Sequence, residues 1–189
     1  MLFSKKRNLP FLLLLFVLQL AKAQNPQKAL GLEIESDPIA FIFKGYSLHL
    51  AYTFQDVRAS MGVFGIETPG MFLDNKAFSV FTSGYDVKLD YLFGSKKGLF
   101  MGSQLTYGKD NIELKESRKS QNLWGYSVGL RSGYRFMFGK KESNYKGIYI
   151  VPWIALIHSI KAQEIQLGPE TYSQPSWTIF PTVHLGWRF

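Results

Sequence analysis

Ser176-Trp177-Thr178-Ile179-Phe180-Pro181-Thr182-Val183-His184-Leu185-Gly186-Trp187-Arg188-Phe189 closes the chain, and its reading decides the fold. Counting back from Phe189, every second residue is large and apolar: Trp187, Leu185, Val183, Pro181, Ile179 and Trp177. Between them stand Arg188, Gly186, His184, Thr182, Phe180 and Thr178, mostly small or polar. A period of two marks an extended strand with one greasy face and one wet face. Ten residue steps separate the two tryptophans, which is roughly 33 Å of strand, or about 25 Å once tilted by about 40°. That is the height of a lipid-facing band with aromatic residues at both interfaces. The stretch therefore reads as one strand of a transmembrane barrel.

The rest of the chain repeats the pattern. Seven more alternating segments are expected at residues 29–36, 46–54, 57–64, 82–93, 99–108, 123–138 and 146–160. In the sixth, Trp124, Tyr126, Val128, Leu130, Tyr134, Phe136 and Phe138 alternate with Gly125, Ser127, Gly129, Arg131, Gly133 and Arg135. The seventh is apolar on both faces, so alternation leaves open which face meets lipid. Connections at 55–56, 94–98 and 139–145 are short or moderate, while those at 37–45, 65–81, 109–122 and 161–175 are longer. Short turns at one end and long loops at the other, with an even strand number, predict an eight-stranded antiparallel up-and-down transmembrane β-barrel. A secreted soluble barrel of lipocalin type shares the alternation. The aromatic ends of the greasy faces and the aromatic final strand argue against it.

The bulk numbers bound the rest. The 189 residues suffice for one domain. Lys5, Lys6 and Arg7 precede an apolar run and an Ala21-Lys22-Ala23 cleavage site, so residues 1–23 read as a signal peptide and 24–189 as the barrel domain. Removing the four bases of that leader from the 22 leaves 18 against 14 acids, and the net charge falls from +8 to +4. Nucleic acid is then not an expected partner. The absence of cysteine excludes disulfides, thiolate metal sites and a lipidated cysteine. No metal-ligand spacing appears, and no cofactor is expected.

An eight-stranded barrel is just wide enough for its own side chains to fill it. By alternation, Glu33, Glu35, Asp86 and Asp90 point inward with Arg58, Lys88, Arg131, Arg135 and Arg188. Charges in a narrow interior must be paired, so the expected lumen is a plug of salt bridges. His49 and His184 also face inward, His158 lies near one end of its strand, and Ser47 shares a face with His49. Neighbours such as His158 and Ser159 point to opposite faces, and no nucleophile motif forms. No catalytic residue is expected. Pro152 and Pro181 fall inside adjacent segments, where proline removes a ladder hydrogen bond. They read as two bulges, or as a weakened seam between segments seven and eight. In the 65–81 loop, Met71, Phe72 and Leu73 are apolar residues for partner contact or for capping the mouth.

Val183-x-Leu185-x-Trp187-x-Phe189 resembles the C-terminal assembly signal of bacterial outer-membrane barrels, and the mature chain resembles the small barrels of Gram-negative bacteria. His184 stands where that signal often has glycine. The resemblance implies an outer-membrane location, with long loops extracellular and both mature termini periplasmic. It implies outer-membrane lipids and the barrel-insertion machinery as partners, with an extracellular or membrane protein as a possible further one. Some barrels that this chain resembles modify lipopolysaccharide acyl chains with a His, a Ser and an acid. A structural or interaction role is expected first, a lipid-modifying enzyme second and a narrow conduit third.

Overall fold

The structure is a computed structural model that describes residues 31–94 and 97–189. The leader at 1–23, the start of the first alternating segment and Lys96 lie outside those residues. Strands β1 (Leu32–Ser36), β2 (Tyr46–Phe54), β3 (Val57–Glu67), β4 (Phe78–Leu92), β5 (Gly98–Leu114), β6 (Ser120–Met137), β7 (Gly147–Ser159) and β10 (Trp177–Arg188) close into one barrel. Each consecutive pair is antiparallel, and β10 returns to β1 through Glu33↔Arg188 to Ser36↔Leu185. Closure leaves no free sheet edge along the paired part of the wall, as a bilayer requires. The expected eight-stranded barrel is what the chain forms.

Its polarity is inverted relative to a soluble domain. Leu130 on the outer face is 72% exposed, whereas Arg188 inside is fully buried. Leu48, Leu50, Val87, Leu89, Leu105, Ile154 and Leu156 share the outer face. In water this apolar belt would be far larger than a monomer tolerates. In a bilayer it is the solvated surface. Alternation also resolves β7, where the sequence left the face open: Tyr149, Val151, Trp153 and Ala155 are buried inside and Ile148, Ile154 and Leu156 face out.

Four strands overrun their expected ends: β3 runs on to Glu67 and β4 begins at Phe78, so the expected loop at 65–81 narrows to residues 68–77. β4, β5 and β6 have 15, 17 and 18 residues, so the predicted loop at 109–122 is mostly strand and shrinks to residues 115–119. The 161–175 segment is likewise not irregular, because β8 (Glu164–Leu167) and β9 (Glu170–Ser173) pair around a turn where Gly168 takes φ +66°. That left-handed conformation suits glycine. Beyond the belt, Phe78, Val80, Ile112, Leu114 and Leu123 join Ile165 and Tyr172 of the hairpin in a second apolar cluster. The physical reason for the extension is this cluster: isolated hairpin ends rarely hold, and the folded-back hairpin supplies the missing layer.

The wall is not strand throughout. β1 stops at Ser36, and α1 (Pro38–Ile42) takes its place beside the outer half of β10. Asp37 caps α1 by accepting from the Ile39 amide at 2.8 Å, and Pro38 starts it. The Gly45 amide donates to Ala40 O at 2.7 Å, and the Glu67 amide to Phe43 O at 3.0 Å, which ties α1 to β2 and β3. A helical turn satisfies backbone groups internally, so it can fill a wall that lacks a strand.

This relocates the weak point inferred from the prolines. The β7–β10 ladder runs without a register shift from His158↔Trp177 to Gly147↔Arg188, so there is neither a bulge nor a seam between those strands. Alternate residues of an antiparallel strand direct their backbone groups to the same side. Phe189 donates to Leu32 O, so the odd residues of β10 face β1. Pro181 is therefore an edge proline, above the point where β1 ends, which is where a sheet accepts one. Pro152 faces β6, since Ile160 donates to Tyr126 O, and the β6–β7 ladder is interrupted there between Gly133↔Trp153 and Phe136↔Ile150.

Two outcomes follow from this packing. A Cβ on Gly133 would stand 2.5 Å from Pro152 O and 2.6 Å from Trp153 Cβ, while one on Gly125 meets nothing within 4 Å. Gly133→Ala should destabilise the refolded barrel by about 1–3 kcal/mol, and Gly125→Ala should leave urea unfolding, followed by tryptophan fluorescence, nearly unchanged. In the outer cluster, burial pushes the Tyr172 phenol up to about 12, with Asp110 and Asp74 adding to the effect. A raised folded value means that the neutral form is the one held. The stabilisation is complete below the ordinary value of about 10 and is lost as pH rises through about 12. Absorbance titration of tyrosinate should show a late-ionising phenol that Tyr172→Phe removes; loss of a phenol titrating at the ordinary value instead would contradict this burial.

Candidate functional site

The lumen gathers the inward-facing charges into one network, in two tiers. In the tier toward the short turns, Glu33 is the hub. It accepts from Arg58 Nε at 2.7 Å, Arg135 Nη2 at 2.7 Å, Thr53 Oγ1 at 3.1 Å and Tyr149 OH at 3.2 Å, and also from Arg188 Nη1. Glu35 accepts from Arg58 Nη2 at 2.5 Å and Tyr149 OH at 3.0 Å, and meets His184 Nδ1 at 3.0 Å. Arg58 Nη1 reaches Asp90 at 3.2 Å, and Arg131 Nε lies 3.5 Å from the other oxygen of Asp90. Arg131 also stacks on Trp153, 4.3 Å from the ring centre. All the groups are buried.

The second tier lies toward α1. Lys88 Nζ donates to both oxygens of Asp86 at 2.8 Å. His49 Nε2 lies 3.1 Å from Asp86, and Ser47 Oγ lies 3.2 Å from His49 Nδ1. The His49 and His184 rings are 5.1 Å apart and join the two tiers. Asp37, the cap of α1, accepts from Thr182 at 2.6 Å.

Strand register explains how side chains from non-adjacent strands meet. His49 and Asp86 flank Gly62 on β3, and a Cβ on Gly62 would overlap the His49 ring. Asp90 and Arg131 flank Gly102 on β5, and a Cβ there would strike the Asp90 carboxylate. Glu35 and Tyr149 flank Gly186 on β10, and a Cβ there would fall 2.6 Å from the Tyr149 hydroxyl. Each glycine is a gap through which two long polar side chains touch across a third strand. A wet face that alternates long charged residues with glycine is the sequence signal of this arrangement.

All nine charges expected in the lumen lie in it: Glu33, Glu35, Arg58, Asp86, Lys88, Asp90, Arg131, Arg135 and Arg188. Sequence reasoning did not assign Tyr149, Trp153 or Asp37 to it, because β7 alternates apolar with apolar and residues 37–45 read as a loop; Thr53 and Thr182 share the polar faces of His49 and His184 but were not singled out, being uncharged. His158 is elsewhere. It stacks on Trp177 at 4.4 Å on the outer side, and its Nδ1 lies 3.0 Å from Ser176 O. In the final strand Leu185, Trp187 and Phe189 face out, with Val183 partly covered. Met71 and Phe72 are 79% and 71% exposed, while Leu73 packs on the outer cluster.

Glu33 offers the sharpest test of the network. Glu33→Ala leaves three guanidinium groups without their common acceptor and should cost about 3–5 kcal/mol, as for a broken buried pair. Glu67→Gln, which removes the exposed contact with Lys44 at 3.0 Å, should cost under about 1 kcal/mol. Chemical unfolding of the barrel refolded in detergent measures both.

No protein-family model matches the sequence, and no curated protein does. Among solved structures the fold is similar to the crystal structure of Neisserial surface protein A, with a TM-score of 0.50 and 9% identity over 84% of this chain and 92% of that one. At that identity the likeness concerns the fold, which in both chains is the closed eight-stranded barrel.

Proposed function

We propose that this chain is an outer-membrane protein, exported by its leader, whose role is structural or interactive and is exercised by the long-loop end. In this reading the short turns are periplasmic and the long loops extracellular. The observation that carries it is the contrast between the two ends of the molecule. The lumen is filled by paired charges and by an apolar cluster of Leu92, Phe100, Met137, Tyr149, Val151 and Trp153, which opposes a conduit. The long-loop end instead builds a platform on its own core and displays Met71 and Phe72 beside it. Apolar side chains held out by a rigid support are what a partner surface needs.

Outer-membrane lipids would cover the belt, and the insertion machinery would read Val183, Leu185, Trp187 and Phe189 during assembly. Membrane flotation and protease accessibility test the placement: protection of the 68–77 loop in intact cells would sink it. Surface cross-linking tests the role. A double Met71→Asp, Phe72→Asp variant should still refold, and should lose any cross-linked species the parent forms. Planar-bilayer recording should show no conductance steps.

A second reading is favoured by the Ser47–His49–Asp86 chain of contacts at 3.2 and 3.1 Å. Nucleophile, base and orienting carboxylate stand in the order that acyl transfer uses. In that reading the barrel modifies lipid acyl chains, and Ser47→Ala abolishes a change in outer-membrane lipid mass that the parent produces. Identical lipid profiles with and without the protein would leave the interaction role.

A further inference from the structure

The tier of the lumen around Glu33 holds more cation than anion. Arg58, Arg131, Arg135 and Arg188 face Glu33, Glu35 and Asp90 there, while in the next tier Lys88 and Asp86 neutralise each other and Asp37 is held by the Thr182 hydroxyl and the Ile39 amide. Residues 1–30, 95 and 96 contain no Asp or Glu, so no carboxylate outside the described residues can make up the difference. Hydrogen bonding shows the same imbalance. Arg131 Nη1, Arg135 Nε and Nη1, Arg188 Nη2 and Trp153 Nε1 are buried donors without a hydrogen-bond partner among the described residues, and Arg131 Nε meets Asp90 Oδ1 only in a loose ion pair at 3.5 Å. The one buried acceptor in the same condition is Gln104 Oε1, with Ser60 Oγ able to serve either way.

A buried guanidinium N–H without an acceptor is too costly to persist, so something must occupy these positions. Water accepts, but it brings donors of its own into a space already short of acceptors. An anion only accepts, and it also removes the excess charge. Arg131 is the natural ligand. Its guanidinium stacks on Trp153, and the Lys88 ammonium lies over the same ring at 5.8 Å. Two cations therefore lie against one ring, and their carboxylates are each shared with another group: Asp90 with Arg58 and Asp86 with His49.

We infer that the lumen holds a small inorganic anion, bound by Arg131 beside Trp153. It acts as the structural counter-ion that completes the charge network, whatever the outer loops bind.

The test uses the whole barrel refolded in detergent, with bromide as the probe. Crystals grown in bromide should show an anomalous peak in contact with the Arg131 guanidinium. In solution, replacing methanesulfonate by bromide at constant ionic strength should raise the unfolding midpoint of the parent. Arg131→Met, which keeps the stem and removes the charge, should lose that response, whereas exposed Arg118→Gln should keep it. Ordinary water density beside Arg131 would overturn the inference. So would bromide found at surface lysines alone, which is an adventitious ion only. Should Arg131→Met fail to refold, the anomalous map of the parent decides.

Discussion

The Glu33 carboxylate holds this molecule together. It is wholly buried, it lies on the first strand of the barrel, and three arginines from β3, β6 and β10 converge on it. One of them, Arg188, is the penultimate residue of the chain and its ladder partner across the closing seam. Closure and charge pairing are thus one event. Until β10 meets β1, Glu33 and Arg188 lack each other, and a charge alone in a low-dielectric lumen is strongly unfavourable. Once they meet, the same register that satisfies the backbone satisfies the side chains. A slip of one residue between β1 and β10 would turn one of these two charges to the outer face.

The lumen is narrow, yet its contacts span strands that are not neighbours. Glycine makes this possible. Gly62, Gly102 and Gly186 each stand between two long polar side chains and leave them room to touch. The interior is therefore packed by reach as much as by volume. Cation–π contacts of Arg131 with Phe100 and Trp153, and of Arg135 with Tyr149, bring the apolar cluster against the charged one.

The wall and the long-loop end depart from a uniform cylinder for related reasons. β1 is short, so half of β10 has no strand on one side, and α1 fills the place with its backbone bonded to itself and to β2 and β3. At the same end, β4, β5 and β6 continue past the belt and need a cover, which the β8–β9 hairpin provides. Asn75 donates to Glu170 at 2.8 Å and Gln174 to Asp110 at 2.7 Å, so polar contacts fix the hairpin at its rim. The barrel interior and this platform have separate apolar clusters.

Alternation was enough to find eight barrel strands, the facing of all but the seventh and the nine lumen charges, because a side chain's face depends only on the parity of its position in the strand. Trp177 to Trp187 shows the belt height without any coordinates, since rise per residue is nearly constant. Other features depend on partners distant in sequence. Residues 109–122 read as a loop because Ile112 and Leu114 gain their burial only when Ile165 and Tyr172 fold over them. Pro152 and Pro181 read as a shared defect because the ladder each one faces is set by the closure of the whole sheet. Tyr149 was indistinguishable from its apolar neighbours until Gly186 brought it to Glu35. Which side chain faces inward is a local property of an extended chain. Which side chains meet there is decided by register, and register is fixed only when β10 closes on β1.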